Sequence, residues 1–261
     1  MKIALALSGG GARALAHIGV LEVLEQNNIK IDCITGTSMG AIIGALYAIE
    51  PSCEKIKTIL KDYIFNVMFS KMNMKKMQDA GNVSSTINFE DMINAIIPDI
   101  KIEDTKIPFA CVATDITNGK EKFFIKDFIR KRVLASASLP GIFPPVNIDN
   151  VYYADGLYVN VTPVTATKIF NPDFIIALDV IGELKKMEVL PVNSKDIISR
   201  CNIISGNLLY KEQIKDVDVM IRPNIQQTSW TEFNKFDFLV CEGKKAGEQN
   251  IREIKLKLKD M

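Results

Sequence analysis

The chain has 261 residues, 48% of them hydrophobic, with 32 Lys and Arg against 31 Asp and Glu, one His and five Cys, and it is long enough to bury a substantial core. A formal net charge of +1 leaves no basic excess to follow a phosphate backbone, so nucleic acid is not an expected partner. Five scattered cysteines without a Cys-x-x-Cys pair, beside one histidine, argue against a zinc site and for a reduced compartment.

Residues 2–7 form a short apolar run that enters glycines at 9, 10 and 11, and Ala12 to Gln26 follows with helical spacing through Leu15, Ile18, Leu21 and Leu24. A strand, a tight turn and a helix are predicted. The opening run stops at Ser8, too soon for a signal peptide. Ile31 to Thr35 reads as a second buried strand, Gly36 to Gly40 as a turn, and Ala41 to Ile49 as an apolar helix stopped by Pro51. The longest uncharged stretch, Cys33 to Ile49, is glycine-rich and shorter than the roughly 20 residues of a membrane span, so a cytoplasmic protein is expected. A βαβα order implies a parallel sheet covered by helices.

Glu54 to Met77 is helical in pattern, as is Phe89 to Ile97. Within the first, Ile64 to Met77 mixes Phe and Met with Lys71, Lys75 and Lys76; it reads first as a core helix with a solvated face, and second as a lid or peripheral contact with an anionic membrane. Phe109 to Thr114 and Glu121 to Ile125 flank Asn118-Gly119 as a hairpin, and Phe128 to Ala137 is a helix ended by Leu139-Pro140-Gly141. Val151 to Ala154 and Phe174 to Val180 are further strands, and residues 194–261 hold two or three amphipathic helices around a strand at Val217 to Ile221. With no repeat or linker, one domain over 1–261 is expected, its motifs within about 3–180 and its helical C-terminal part at about 194–261.

Chemistry is signalled by Gly36-Thr37-Ser38-Met39-Gly40, a Gly-x-Ser-x-Gly at a strand-to-helix junction, where a sharp turn pushes a serine hydroxyl out of the sheet. A nucleophilic serine needs donors for the oxyanion, and Gly9, Gly10 and Gly11 can expose N–H groups at the start of the first helix. Arg13, one helical turn on, fits either loop support or contact with an anionic substrate group. Gly9-x-Gly11-x-x-Ala14 also fits a dinucleotide fingerprint, but no acidic residue ends the second strand, which makes that the weaker reading. The only histidine, His17, precedes Ser38 inside the first helix and reads as a packing residue, so a carboxylate must take the serine's proton. Asp155, after the strand-like Val151 to Ala154 and before Gly156, is the first candidate; Asp115, just before the Asn118-Gly119 turn, is the second and looks like a turn cap.

Leu7-Ser8-Gly9-Gly10-Gly11-Ala12-Arg13 with Ala16-His17-Ile18-Gly19-Val20-Leu21, then Gly36-Thr37-Ser38-Met39-Gly40, the block from Ala135 to Pro145, and Asp155-Gly156 stand in an order that resembles the patatin-like phospholipase family, in particular its compact bacterial members, over most of residues 3–180. The resemblance implies a three-layer α/β/α sandwich with a mostly parallel central sheet. It implies a dyad of Ser38 as nucleophile and Asp155 as base, an oxyanion hole from Gly9, Gly10, Gly11 and Ala12, no metal or other cofactor, and hydrolysis of acyl esters of phospholipids or lysophospholipids. Ala14 stands where the family's loop ends in glycine, and Leu157 where glycine or alanine follows the Asp-Gly pair. An acyltransferase or thioesterase with the same dyad, or a non-catalytic lipid-binding protein, are the alternative readings.

Overall fold

The computed structural model describes residues 1–63, 89–182, 184, 186–187, 193–225 and 227–260. Strand β1 (Ile3–Leu7) is buried throughout, and its side chains alternate between two cores: Ile3, Leu5 and Leu7 on one face, Ala4 and Ala6 on the other. Such a strand requires a covered sheet on both sides. It pairs in parallel with β2 (Cys33–Thr37) on one flank and with β7 (Phe174–Leu178) on the other. With β3 (Phe109–Asp115), β4 (Lys120–Phe124), β5 (Val146–Ile148), β6 (Val151–Asp155) and β8 (Val219–Ile221), these make one eight-stranded sheet in the order β5-β6-β3-β2-β1-β7-β8, with β4 also paired to β3.

The larger core gathers the apolar faces of α1 (Ala16–Gln26), α2 (Met39–Ile49), α3 (Cys53–Tyr63), α4 (Phe89–Ile96) and α5 (Ile129–Ala137). The smaller one, built on Ala4, Ala6, Cys33 and Ala177, is closed by Val164 of α6 (Val164–Thr167) and by Ile214 and Val217, which follow α7 (Ser194–Gln213). The last helix, α8 (Phe236–Lys259), adds Phe236, Leu239 and Ile254 to the larger core, where each fully buried side chain contributes about 1.5–3 kcal/mol. The result is the three-layer α/β/α sandwich that the motifs imply.

Some boundaries differ from those predicted. β2 runs Cys33–Thr37 rather than Ile31 to Thr35, because its pairing with β1 continues to Leu7 opposite Gly36, and the turn that follows shrinks to one residue. The first helix opens as a 3-10 turn over Gly11–Leu15 before becoming α-helical at Ala16. β5 and α6 are too short for periodicity to show. The helix expected over Glu54 to Met77 is seen as α3 up to Tyr63; the rest of it, with the Ile64 to Met77 membrane contact, lies outside the described residues.

The sheet brings two distant chain segments together. Cys111 and Val112 of β3 pair with both β2 and β4, while Ala113 to Asp115 pair with both β4 and β6. Since a strand has only two flanks, β6 lies on the same flank of β3 as β2, further along. β2 runs parallel to β3 and β6 antiparallel, so their C-terminal ends converge, with Thr37 opposite Val112 and Asp155 opposite Ala113. Whatever follows Thr37 must therefore meet Asp155.

Candidate active site

Ser38 is that residue. One position separates β2 from α2, and the reversal is absorbed by Ser38 with φ 56° and ψ −128°, a conformation that costs a non-glycine residue of order 1–3 kcal/mol. The glycines of the motif make room for it. A Cβ on Gly36 would strike Gly40 and Ala41, and one on Gly40 would strike the carbonyls of Leu7 and Ser8 at the end of β1. The strained backbone is held by Ser136 of α5, whose Oγ accepts from Ser38 N–H at 3.1 Å and donates to the Val112 carbonyl at 2.6 Å. Ser136 carries no assigned role in the sequence reading; its place in the Ala135 to Pro145 block is the signal that could have marked it.

The Ser38 hydroxyl donates to Asp155 Oδ2 at 2.6 Å, and the other carboxylate oxygen accepts the Leu157 N–H at 2.8 Å. Leu157 thus secures the Asp155 carboxylate through its backbone, while its side chain points partly to solvent. Asp155 is itself fixed by its N–H to the Ser138 carbonyl at 2.9 Å and by Thr114 Oγ1 on its own carbonyl at 2.7 Å. Only 1% of it is exposed, and this burial pushes its carboxyl up to about 6, against the smaller opposing effect of the bonds from Ser38 and Leu157. A carboxyl poised there is a far better proton acceptor than an ordinary aspartate.

The other candidate bases stand apart. Asp115 accepts the side-chain and backbone N–H groups of Asn118 at 2.9 Å and so caps the β3–β4 turn. His17 is fully buried, its Nε2–H donating to the Ser8 carbonyl at 2.8 Å and its Nδ1 without a partner among the described residues. Burial drives it down to about 4, so it is neutral at neutral pH and ties α1 to the residue that precedes the glycine loop.

The loop itself packs against Ser38. A Cβ on Gly9 would lie 3.2 Å from Ser38 Cβ. The N–H of Gly9 is spent on the Val161 carbonyl at 2.9 Å and that of Ala12 on the Trp230 carbonyl at 2.7 Å, whereas those of Gly10 and Gly11 have no acceptor among the described residues. Gly11, at φ 56° and closed over by the Trp230 backbone, admits no side chain. The N–H of Met39, directly after Ser38, is also unpaired among the described residues, a donor that the sequence reading did not include. Arg13 is partly buried, with its Nε unpartnered among the described residues; burial lowers its pKa, opposed by the charge of Asp179. Asp179 follows β7 and holds Tyr210 Oη at 2.6 Å and Arg222 Nε at 2.9 Å.

A model of the family described as patatin-like phospholipase matches residues 5–168. Among related proteins, the lysophospholipase NTE1 of Pyricularia oryzae is 27% identical over 282 residues, covering 97% of this chain and 19% of that protein. Patatin-like phospholipase domain-containing protein 7 of Rattus norvegicus is 34% identical over 268 residues, covering 92% of this chain and 20% of that protein. The chain thus spans about a fifth of the length of these relatives. The crystal structure of VipD from Legionella pneumophila shares the fold, with a TM-score of 0.56 at 15% identity over 97% of this chain and 67% of that one. With the matched residues running from β1 to α6 and taking in both Ser38 and Asp155, the chain belongs to the patatin-like phospholipase family.

Proposed function

We propose that this protein hydrolyses the acyl ester of a lysophospholipid or phospholipid through a Ser38–Asp155 dyad. The observation that carries the reading is the 2.6 Å bond from the Ser38 hydroxyl to a buried carboxylate, made at a strained elbow while the chain's one histidine is engaged elsewhere. Ser38 Oγ attacks the acyl carbonyl and its proton passes to Asp155 Oδ2. The oxyanion is received by the N–H groups of Gly10, Gly11 and Met39, the amides near the serine with no other acceptor among the described residues, and each such donor typically lowers the barrier by about 3–4 kcal/mol. Asp155 returns its proton to the leaving alcohol oxygen. Water, deprotonated by Asp155, then attacks the acyl-serine, and Asp155 passes that proton to Ser38 Oγ as the fatty acid is released. Two features of the relatives support the substrate class: the family's description as phospholipases and the lysophospholipase name borne by NTE1.

A fluorophosphonate probe together with lysophosphatidylcholine hydrolysis tests the reading. Wild type should be labelled and should release fatty acid, and Ser38→Ala should do neither while melting like wild type. Labelling that persists in Ser38→Ala, or fatty-acid release by that variant, would overturn the assignment.

A further inference from the structure

Asn160 to Pro163, a stretch that belongs to none of the sequence motifs, lies between the turn after Asp155 and helix α6, and all of it is buried. Its carbonyls hold two parts of the site. Asn160 accepts the Thr37 hydroxyl at 2.7 Å, Val161 the Gly9 N–H at 2.9 Å, and Pro163 the Thr35 hydroxyl at 2.8 Å. Thr37 directly precedes Ser38, and Gly9 opens the glycine loop, so the serine elbow and that loop rest on one ledge of main chain. The third part joins where the ledge begins: Asn160 N–H donates at 2.8 Å to the carbonyl of Gly156, the residue after Asp155. Thr37 also meets this turn directly, since a Cβ on Gly156 would lie 3.0 Å from its methyl group.

The side chain of Asn160 ties the ledge to two further elements. Asn160 is fully buried, and its Nδ2 donates to Glu121 Oε1 of β4 at 2.6 Å and to Thr165 Oγ1 of α6 at 2.8 Å. Glu121 stands opposite Thr114, whose hydroxyl holds the Asp155 carbonyl, so the amide is anchored to the same part of the sheet as the aspartate. Asn160 Oδ1 has no donor among the described residues. A buried acceptor left unpaired lowers stability, and an apolar side chain would avoid that loss. The two bonds from Nδ2 therefore give the reason for an amide at this position.

We infer that Asn160 is a positioning residue for the dyad: its amide fixes the 160–163 main chain, and that main chain sets the elbow, the glycine loop and the turn after Asp155 against one another. The inference rests on the Ser38–Asp155 reading above. Asn160 acts through Thr37, Gly9 and Gly156 rather than on the substrate, so its loss should slow the chemical step and leave substrate binding as it was.

Steady-state hydrolysis of soluble p-nitrophenyl butyrate tests the inference, with thermal melts to establish that each variant folds. Asn160→Ala should lower kcat about 10-fold with KM within about twofold of wild type, and Glu121→Leu should lower kcat about threefold. Glu121→Gln keeps an oxygen that can accept from the Asn160 amide and should restore most of the rate. The double variant Asn160→Ala/Glu121→Leu should be no slower than Asn160→Ala, because both substitutions break one connection, whereas independent effects would multiply to about 30-fold. Wild-type kcat in Asn160→Ala overturns the inference, as does a multiplied loss in the double variant. If Asn160→Ala does not fold, Glu121→Leu and Glu121→Gln decide alone, and equal rates in those two overturn it. Ser38→Ala, measured alongside, separates the inference from the reading beneath it. When Ser38→Ala is inactive and Asn160→Ala keeps the wild-type rate, the positioning role fails and the dyad stands; when Ser38→Ala hydrolyses the ester, or wild type does not, the dyad falls and the inference with it.

Discussion

Replacing Asp155 with asparagine separates what the carboxylate does for chemistry from what it does to stability. Asparagine keeps the shape, with its amide oxygen able to accept the Leu157 N–H as Asp155 Oδ1 does. It removes the proposed base, and loss of general-base catalysis should lower kcat by about 100- to 10,000-fold. Burial raises the Asp155 carboxyl from 3.8 to about 6, so between those values the folded protein holds a proton that the unfolded chain has released. That carboxyl's contribution to stability is complete below pH 3.8 and is lost as pH rises through about 6. At about 1.4 kcal/mol for each tenfold change in proton affinity, the loss is about 3 kcal/mol. The substituted amide cannot titrate, so Asp155→Asn should gain on wild type by about 3 kcal/mol between pH 3 and pH 7, or about 6 °C in Tm for a chain of this size. Thermal melts of both proteins across that range, with kcat measured alongside, check it. Wild-type kcat/KM should climb through about pH 6 and level off above it. Parallel melting curves for the two proteins at every pH would refute the argument that this carboxyl is buried and raised, and an active Asp155→Asn would refute its role as base.

Two further substitutions probe how the site is held. His17→Gln can still donate to the Ser8 carbonyl and should keep most of the activity, whereas His17→Leu strands that buried carbonyl and should cost about 1–3 kcal/mol in denaturant unfolding; equal stability of the two would show that the 2.8 Å bond contributes nothing. Ser136→Ala removes the acceptor that holds the Ser38 N–H and the donor to Val112, and should lower kcat for a soluble ester by about tenfold or more with KM little changed. Wild-type kinetics in Ser136→Ala would mean that the elbow holds its geometry unaided.

Local signals carry far in this chain. Glycines at 36 and 40 announce the elbow because only residues without Cβ fit where β1 and α2 crowd the turn, and that constraint is written into five consecutive residues. Asp155 is legible for a similar reason, at the end of an apolar strand and before a glycine. What sequence alone does not carry depends on partners far along the chain. The division of the glycine-loop amides is set by the carbonyls of Val161 and Trp230, and nothing near Gly9 or Ala12 reveals those acceptors. Ser136 is one helical serine among several until α5 packs beside the elbow.

The head-on meeting of β2 and β6 along one flank of β3 also sets when this protein can become reactive during synthesis. Ser38 and Asp155 are 117 positions apart, so a growing chain holds the serine long before the aspartate has been made. Long-range strand pairing forms slowly, and β6 can join the flank of β3 only once the hairpin partner β4 and the helix α5 between them have been translated. Until then the serine has no acceptor for its proton and the elbow lacks the α5 hydroxyl that holds its N–H. Under the proposed dyad an incomplete chain is an inert one, and reactivity toward a serine-directed probe becomes a readout of finished folding.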